Sequence, residues 1–213
     1  MNWQDIDTVL LDLDGTLLDL AFDTRFWHEH VPAHFAAAQA LTVADARTVL
    51  APRFRAVEGT LDWYCVEYWS RELDLDILAM TRADSDRIRW LPGAEAFLQR
   101  LRDAGKRVVL LTNSHPKLVT EKDRRTGFRQ YFDAVFSSHT LGAPKENPQF
   151  WSAVREVEPF DLDRSLFVDD NLNVLRAAHG AGLRWIRAVR KPDSTGPARV
   201  HPDFVEIDSV AEL

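Results

Sequence analysis

The amino-acid sequence predicts an α/β fold, a parallel sheet flanked by helices that carries an inserted α-helical subdomain. Three observations predict it. Short apolar runs alternate with amphipathic stretches of helical length beyond residue 90, the pattern of a mostly parallel sheet covered on both faces. Residues 22–89 keep helical spacing with few glycines and no strand-like alternation, so a helical block separates the first strand from the others. The unusual polar residues stand just after the apolar runs, at the sheet edge where open α/β folds bind ligands. The expected division is a sheet domain of residues 1–19 and 91–213, with residues 20–90 forming a cap over its carboxyl-end rim.

The first element is TVLLDLDGTLLD at 8–19, an apolar run that reads as a buried strand and ends in Asp12, Asp14 and the turn residue Gly15. In the helical block, Phe22, Phe26 and Trp27 share a helix face until Pro32 is expected to interrupt it. Thr42 followed by Asp45 reads as an N-cap, opening a helix to about residue 58. Residues 60–69 are expected to continue the helical run. Past Leu91-Pro92-Gly93, residues 94–104 form an amphipathic helix closed by Gly105. RVVLL at 107–111 is a strand ending at Thr112-Asn113-Ser114, and residues 116–126 are a helix closed by Gly127. A strand at 134–138, a helix at 148–157, a strand at 165–168 ending in Asp169-Asp170, a helix at 171–181 and a strand at 184–189 complete the alternation. The tail holds turn signals at Pro192, Gly196 and Pro197, then a short apolar piece at 204–207.

Composition narrows the partners. The 213 residues are 46% hydrophobic and 28% charged, ordinary for a globular chain, with a formal net charge of −7. That sign argues against a nucleic-acid backbone or an anionic membrane as partner. Cys65 is the sole cysteine, which excludes an internal disulfide and a cysteine-cluster metal site and suits a reducing compartment. The opening residues are polar and carry Asp5 and Asp7, unlike a secretory leader, and no apolar run reaches the ~20 residues of a membrane span. A cytoplasmic setting is expected. Nothing in the sequence sets an oligomeric state.

Asp12 and Asp14 lie two residues apart on an extended backbone and so face the same way. Two unit charges about 4 Å apart repel by roughly 4 kcal/mol at an effective dielectric near 20, which a cation or shared proton must relieve. The predicted topology brings Thr112, Lys145, Asp169 and Asp170 to the same rim. Carboxylates with a lysine and a hydroxyl point to metal-assisted phosphoryl transfer with Mg²⁺, a hard cation that takes oxygen ligands. Asp12, Asp169 and Asp170 would hold the ion, and Thr112 and Lys145 would neutralise the phosphoryl oxygens. Asp12 would attack phosphorus, while Asp14 would protonate the leaving oxygen and then activate water.

DLDGT after an apolar strand, a strand ending in Thr-Asn, a later lysine and a strand ending in Asp-Asp together resemble the haloacid dehalogenase-like superfamily. The helical block resembles its α-helical C1 cap. The resemblance implies a Rossmann-like core, Asp12 as nucleophile, Asp14 as acid/base, and Thr112 and Lys145 as phosphate contacts. It also implies Asp169 as the more direct Mg²⁺ ligand with Asp170 beside it, and the backbone carbonyl of Asp14 as a further ligand. WQDIDTVLLDLDGTLLDLAFD, LDWYCVEYWSRELDLDILAM, LLTNSHP and HTLGAPKE are similar to the GMP/IMP nucleotidases of that superfamily. This implies hydrolysis of purine nucleoside 5′-monophosphates, a small-molecule phosphate monoester substrate. The competing expectations are a sugar-phosphate or phosphoglycolate phosphatase or a phosphomutase on the same scaffold, and a non-enzymatic binding protein on this fold.

Other residues invite plainer readings. Trp63, Tyr64, Tyr68 and Trp69 have the spacing of a cap core, with base stacking as the alternative. His28, His30 and His34 are expected at the surface, Cys65 as a small buried hydrophobe, and Arg124-Arg125 on a solvated face. Asn113 is balanced between a substrate contact and a helix cap, and Thr112 between a phosphate contact and a cap.

Overall fold

Six parallel strands form one sheet in the order β3-β2-β1-β4-β5-β6 in the computed structural model, which describes residues 2–213. They are β1 (Thr8–Leu11), β2 (Arg107–Thr112), β3 (Ala134–Ser137), β4 (Ser165–Asp169), β5 (Trp185–Val189) and β6 (Val205–Ile207). The helices, in chain order, are α1 (Ala21–Arg25), α2 (Val31–Ala38), α3 (Val43–Val57), α4 (Val66–Leu73), α5 (Ile77–Ala83), α6 (Ala94–Asp103), α7 (Pro116–Thr126), α8 (Ser138–Leu141), α9 (Pro148–Val157) and α10 (Leu172–Gly180). The apolar piece expected at 204–207 is the edge strand β6, paired in parallel with β5.

The central strands are buried on both faces, which is why they read as unbroken apolar runs rather than alternating ones. Successive residues nevertheless go to different cores. Val9 and Leu11 join Val108, Leu110, Leu166 and Val168 in one core with Phe97, Leu98 and Val119 of α6 and α7. Leu10 joins Val109, Leu111 and Phe167 in the other with Phe150, Trp151 and Leu175 of α9 and α10. The register sets Leu11 beside Leu110 of β2 and Val168 of β4, so these three strands end together. Asp12, Thr112 and Asp169 therefore emerge along one rim.

Helices α1–α5 lie between β1 and α6, and their apolar residues Phe22, Phe26, Leu50, Trp69 and Ile77 continue the first core without a gap. Three expectations fail here. Pro32 does not interrupt the first helical run. Between α1 and α2 the backbone widens over Phe26–His30, where the Val31 N–H donates to the Phe26 carbonyl five residues back. The wide turn spares the proline ring the carbonyl it would meet in a regular helix interior. Residues 60–69 are not one helix either. A tight turn at Asp62–Tyr64 gives way to extended backbone at Cys65, whose Sγ accepts from the Tyr68 N–H and caps α4. Cys65 is thus a half-buried cap rather than a buried hydrophobe. The Thr42 cap is as expected, its hydroxyl accepting from the Asp45 N–H at 3.1 Å. No helix among the described residues is long and apolar enough to cross a membrane.

Candidate active site

Each sequence-predicted site residue reaches the rim where β1, β2 and β4 end. The Asp12 N–H donates to the Val168 carbonyl at 3.0 Å, locking the β1 exit against β4. Gly15 then turns the chain at φ +91°, a conformation that favours glycine. A Cβ there would lie 2.8 Å from the Asp170 carboxyl carbon, so the turn also needs the space.

Lys145, only 2% exposed, sits between the two strand ends. Its Nζ lies 2.5 Å from Asp12 Oδ1 and 2.7 Å from Asp169 Oδ2. Burial alone would lower the lysine pKa, but the carboxylates of Asp12 and Asp169 outweigh it and hold the ammonium charged. Burial pushes the Asp12 carboxyl up, opposed by Lys145 and reinforced by Asp169 and Asp170. The other oxygen of Asp169 accepts from the Asn171 N–H at 2.8 Å. Burial, then the Asp169 charge, raises Asp170 to about 7, although the Arg199 guanidinium is paired with it.

Asn113 does something the sequence did not suggest. Its Oδ1 accepts from the Lys145 N–H at 2.9 Å, and its Nδ2 donates to Glu146 at 2.9 Å. The other oxygen of Glu146 accepts from Tyr64 OH at 2.7 Å, linking the helical segment to the rim. The cap of α7 is His115, whose Nδ1 accepts from the Lys117 N–H, so Asn113 does not cap that helix. Thr112 Oγ1 accepts from the Ser114 N–H at 2.9 Å and closes the turn that leaves β2.

Sequence reasoning missed Lys122, Arg199, Glu146 and Asp23. Lys122 is 2% exposed. Its Nζ is 2.7 Å from Asp14 and 3.0 Å from Asp23. The one available signal was its spacing, three residues after Val119 on the apolar face of α7. Asp23 is raised to about 6 by burial, with Lys122 opposing. Arg124 and Arg125 are exposed, as expected, as are His28 and His34.

A cavity of about 450 Å³ joins this floor to the helical segment, from which Trp27, Phe54, Trp63 and Glu58 line the opposite wall. Phe54 stands edge-to-face with both Trp27 and Trp63, each pair with ring centroids 6.1 Å apart. Trp69, 1% exposed, borders the same cavity, and its Nε1 donates to the Trp63 carbonyl at 2.8 Å.

The floor fits a divalent cation. Carboxylate oxygens of Asp12, Asp169 and Asp170 lie within 4.8 Å of one another. Among the described residues, five carboxylates, those three with Asp14 and Asp23, meet the cations Lys145, Lys122 and Arg199 and no others. Asp12, Asp169 and Asp170 are buried, and their hard oxygen donors suit Mg²⁺.

Known proteins share this architecture. The family model described as haloacid dehalogenase-like hydrolase matches residues 6–182. The chain is 43% identical over 192 residues to the GMP/IMP nucleotidase YrfG of Escherichia coli, covering 90% of this chain and 86% of that protein. It is 28% identical over 223 residues to the phosphoglycolate phosphatase of Vibrio parahaemolyticus, covering 100% of this chain and 96% of the relative. Among solved structures, a HAD phosphatase from Thermococcus onnurineus superposes with a TM-score of 0.77 at 21% identity, over 97% of this chain and 95% of that one.

Proposed function

The chain belongs to the haloacid dehalogenase-like hydrolases, and from that premise we propose that it hydrolyses purine nucleoside 5′-monophosphates, GMP and IMP, to nucleoside and phosphate. The observation that carries the chemistry is the juxtaposition of Asp12 with Lys145 and Asp169 at the foot of a cavity whose far wall is aromatic. The likeness to the GMP/IMP nucleotidase supports the substrate. A flat base can stack on Phe54 or Trp63 while its phosphate reaches the floor, whereas a small polar ester such as phosphoglycolate leaves that wall uncovered.

Residues 20–90 act as the cap in this reading. Asp12, whose ionised form Lys145 favours against the burial that raises it, attacks phosphorus and forms an aspartyl-phosphate as the bond to the nucleoside oxygen breaks. Asp14, oriented by Lys122, gives its proton to the departing ribose 5′-oxygen and then takes one from the water that hydrolyses the intermediate. Thr112 and Lys145 neutralise the phosphoryl oxygens. Asn113 sets the Lys145 backbone and is a positioning residue, with a substrate contact as its second role. Asp12, Asp169, Asp170 and the Asp14 carbonyl would hold Mg²⁺, which when bound supplies positive charge against the incoming phosphate. The setting proposed is the cytoplasm.

Acid quenching during turnover tests the chemistry. A phosphoryl group should be trapped on the wild-type protein and absent from Asp12→Asn, which should also lose turnover by at least about 10⁴-fold. A folded Asp12→Asn variant with near-normal activity would remove Asp12 as nucleophile.

A further inference from the structure

A second group of ligating side chains gathers beside the cavity, where no step of the proposed reaction uses it. Cys65 Sγ and one ring nitrogen each from His115 and His139 lie within 4.8 Å of one another. Cys65 precedes α4, His115 precedes α7, and His139 lies in α8, so three separate segments converge. The rings of His115 and His139 stand edge-to-face with centroids 4.6 Å apart.

Two features of the group are unexplained by packing alone. Both ring nitrogens of His139 are shielded from solvent and make no hydrogen bond, an arrangement that normally carries an energetic penalty. The Leu61 carbonyl faces that ring without reaching hydrogen-bond geometry. Glu67 also leans into the group, its Oε2 3.0 Å from His115 Nε2 and 3.7 Å from Cys65 Sγ. Bonds of about 2.0–2.3 Å to a tetrahedral Zn²⁺ set neighbouring ligand atoms roughly 3.3–3.7 Å apart. The Glu67–His115 and Glu67–Cys65 separations bracket those edges, while Glu67 stands outside the mutually close trio and would swing toward His139 to become the fourth ligand.

We propose that Cys65, His115, His139 and Glu67 form a site for a borderline-soft divalent cation of the Zn²⁺ class, separate from the all-carboxylate floor. Sulfur and imidazole donors select Zn²⁺, whereas Mg²⁺ takes oxygen. A thiolate and a carboxylate neutralise the ion's two charges, and the thiol proton leaves to solvent on binding. Burial lowers His115, and lowers His139 to about 4, so both imidazoles are in the neutral, ligating form. Lys117, whose Nζ is 2.5 Å from Glu67 Oε1, holds that carboxylate in place. Two contacts are given up. Binding at His115 Nε2 moves the ring proton to Nδ1, so Nε2 no longer donates to Glu67 and Nδ1 no longer accepts from the Lys117 N–H at 3.3 Å. Cys65 and Glu67 come from the helical segment and the two histidines from the sheet side, so the ion ties one to the other. Tyr64, next to Cys65, already bonds Glu146 at the cavity.

The test titrates the purified, metal-stripped protein with Co²⁺ and Zn²⁺ in excess Mg²⁺ and without substrate, so it stands apart from the phosphatase reading. Co²⁺ should produce a thiolate-to-metal charge-transfer band, which a carboxylate-only site cannot give, and one equivalent of Zn²⁺ should abolish it. Zn²⁺ should also raise the thermal unfolding midpoint of the wild-type protein. Cys65→Ser should lose the band, and both Cys65→Ser and His139→Ala should weaken Zn²⁺ binding by at least about 100-fold. No charge-transfer band on the wild-type protein, or Zn²⁺ affinity unchanged in both variants, overturns the site.

Discussion

Lys122 on α7 places its buried ammonium 2.7 Å from Asp14, the second aspartate of the DLDGT turn. The same ammonium lies 3.0 Å from Asp23 in the helical segment. One cation thus anchors the proposed acid/base to both the sheet and the segment above it.

Lys122→Met is therefore expected to act on stability and on turnover together. It leaves two carboxylates without their partner, at a cost of about 3 kcal/mol, the lower part of the range for a broken buried pair because both retain some solvent access. Urea unfolding reads this as a lower midpoint with unchanged slope. Turnover at saturating substrate should fall more than KM rises, since Asp14 loses its orientation. A variant of wild-type stability would mean that the pair is solvated.

Gly15→Ala tests how tightly the turn is built against Asp170. The new methyl meets the Asp170 carboxyl at 2.8 Å and Pro192 at 2.9 Å on a backbone at φ +91°. Strain and overpacking together should cost about 2–4 kcal/mol. The Mg²⁺ concentration for half-maximal activity should rise, and an unchanged Mg²⁺ dependence would separate Asp170 from the ion.

Two tryptophans of the helical segment should behave differently. Trp69 borders the cavity but is almost fully buried, so Trp69→Ala should chiefly destabilise, by about 3–5 kcal/mol. Trp63 lines the cavity and is half-buried, so Trp63→Ala should raise KM for a purine nucleotide about tenfold, with kcat nearly unchanged. A KM for Trp63→Ala equal to that of wild type would place no base against this wall.

The raised carboxyls predict the pH dependence of stability. Asp23 at about 6 and Asp170 at about 7 hold protons more tightly folded than unfolded. Their support is full below about pH 4 and is lost as pH rises through those values. Glu121, lowered by its bond from Arg82, and Asp7, lowered by its bond from Arg164, act in the opposite sense. Their contribution is complete above about pH 5. His139, lowered to about 4, and His115, also lowered, add stability as pH rises to about 6.5 and so oppose the two aspartates there. Metal-free protein should therefore lose stability from about pH 6.5 to about pH 8, by roughly 1 kcal/mol and mainly through Asp170, and Mg²⁺ should restore it at the higher pH. Urea unfolding of metal-free wild type and Asp170→Asn between about pH 6.5 and about pH 8 checks this: the variant should lose less, and a rise in wild-type stability over that range contradicts the assignment.

The parts legible in the sequence were those with local causes. Apolar runs capped by Asp12, Thr112 and Asp169 announce strand ends, and Gly127 and Thr42 announce helix boundaries. Lys122 was hidden because its partner Asp23 is 99 residues away, and Arg199 because it lies in a tail without periodicity. Pro32 misled because the widened turn that tolerates it has no mark in composition. Cys65, His115 and His139 meet only through tertiary packing, so a single cysteine read alone looked like a small hydrophobe.

The most direct measurement of the central claim is kcat/KM for Mg²⁺-dependent phosphate release across GMP, IMP, phosphoglycolate and sugar phosphates. GMP and IMP should exceed the others by about tenfold or more, the advantage of a stacked base against the Phe54–Trp63 wall. Rapid turnover of phosphoglycolate or a sugar phosphate, with GMP and IMP inert, would contradict the nucleotidase assignment.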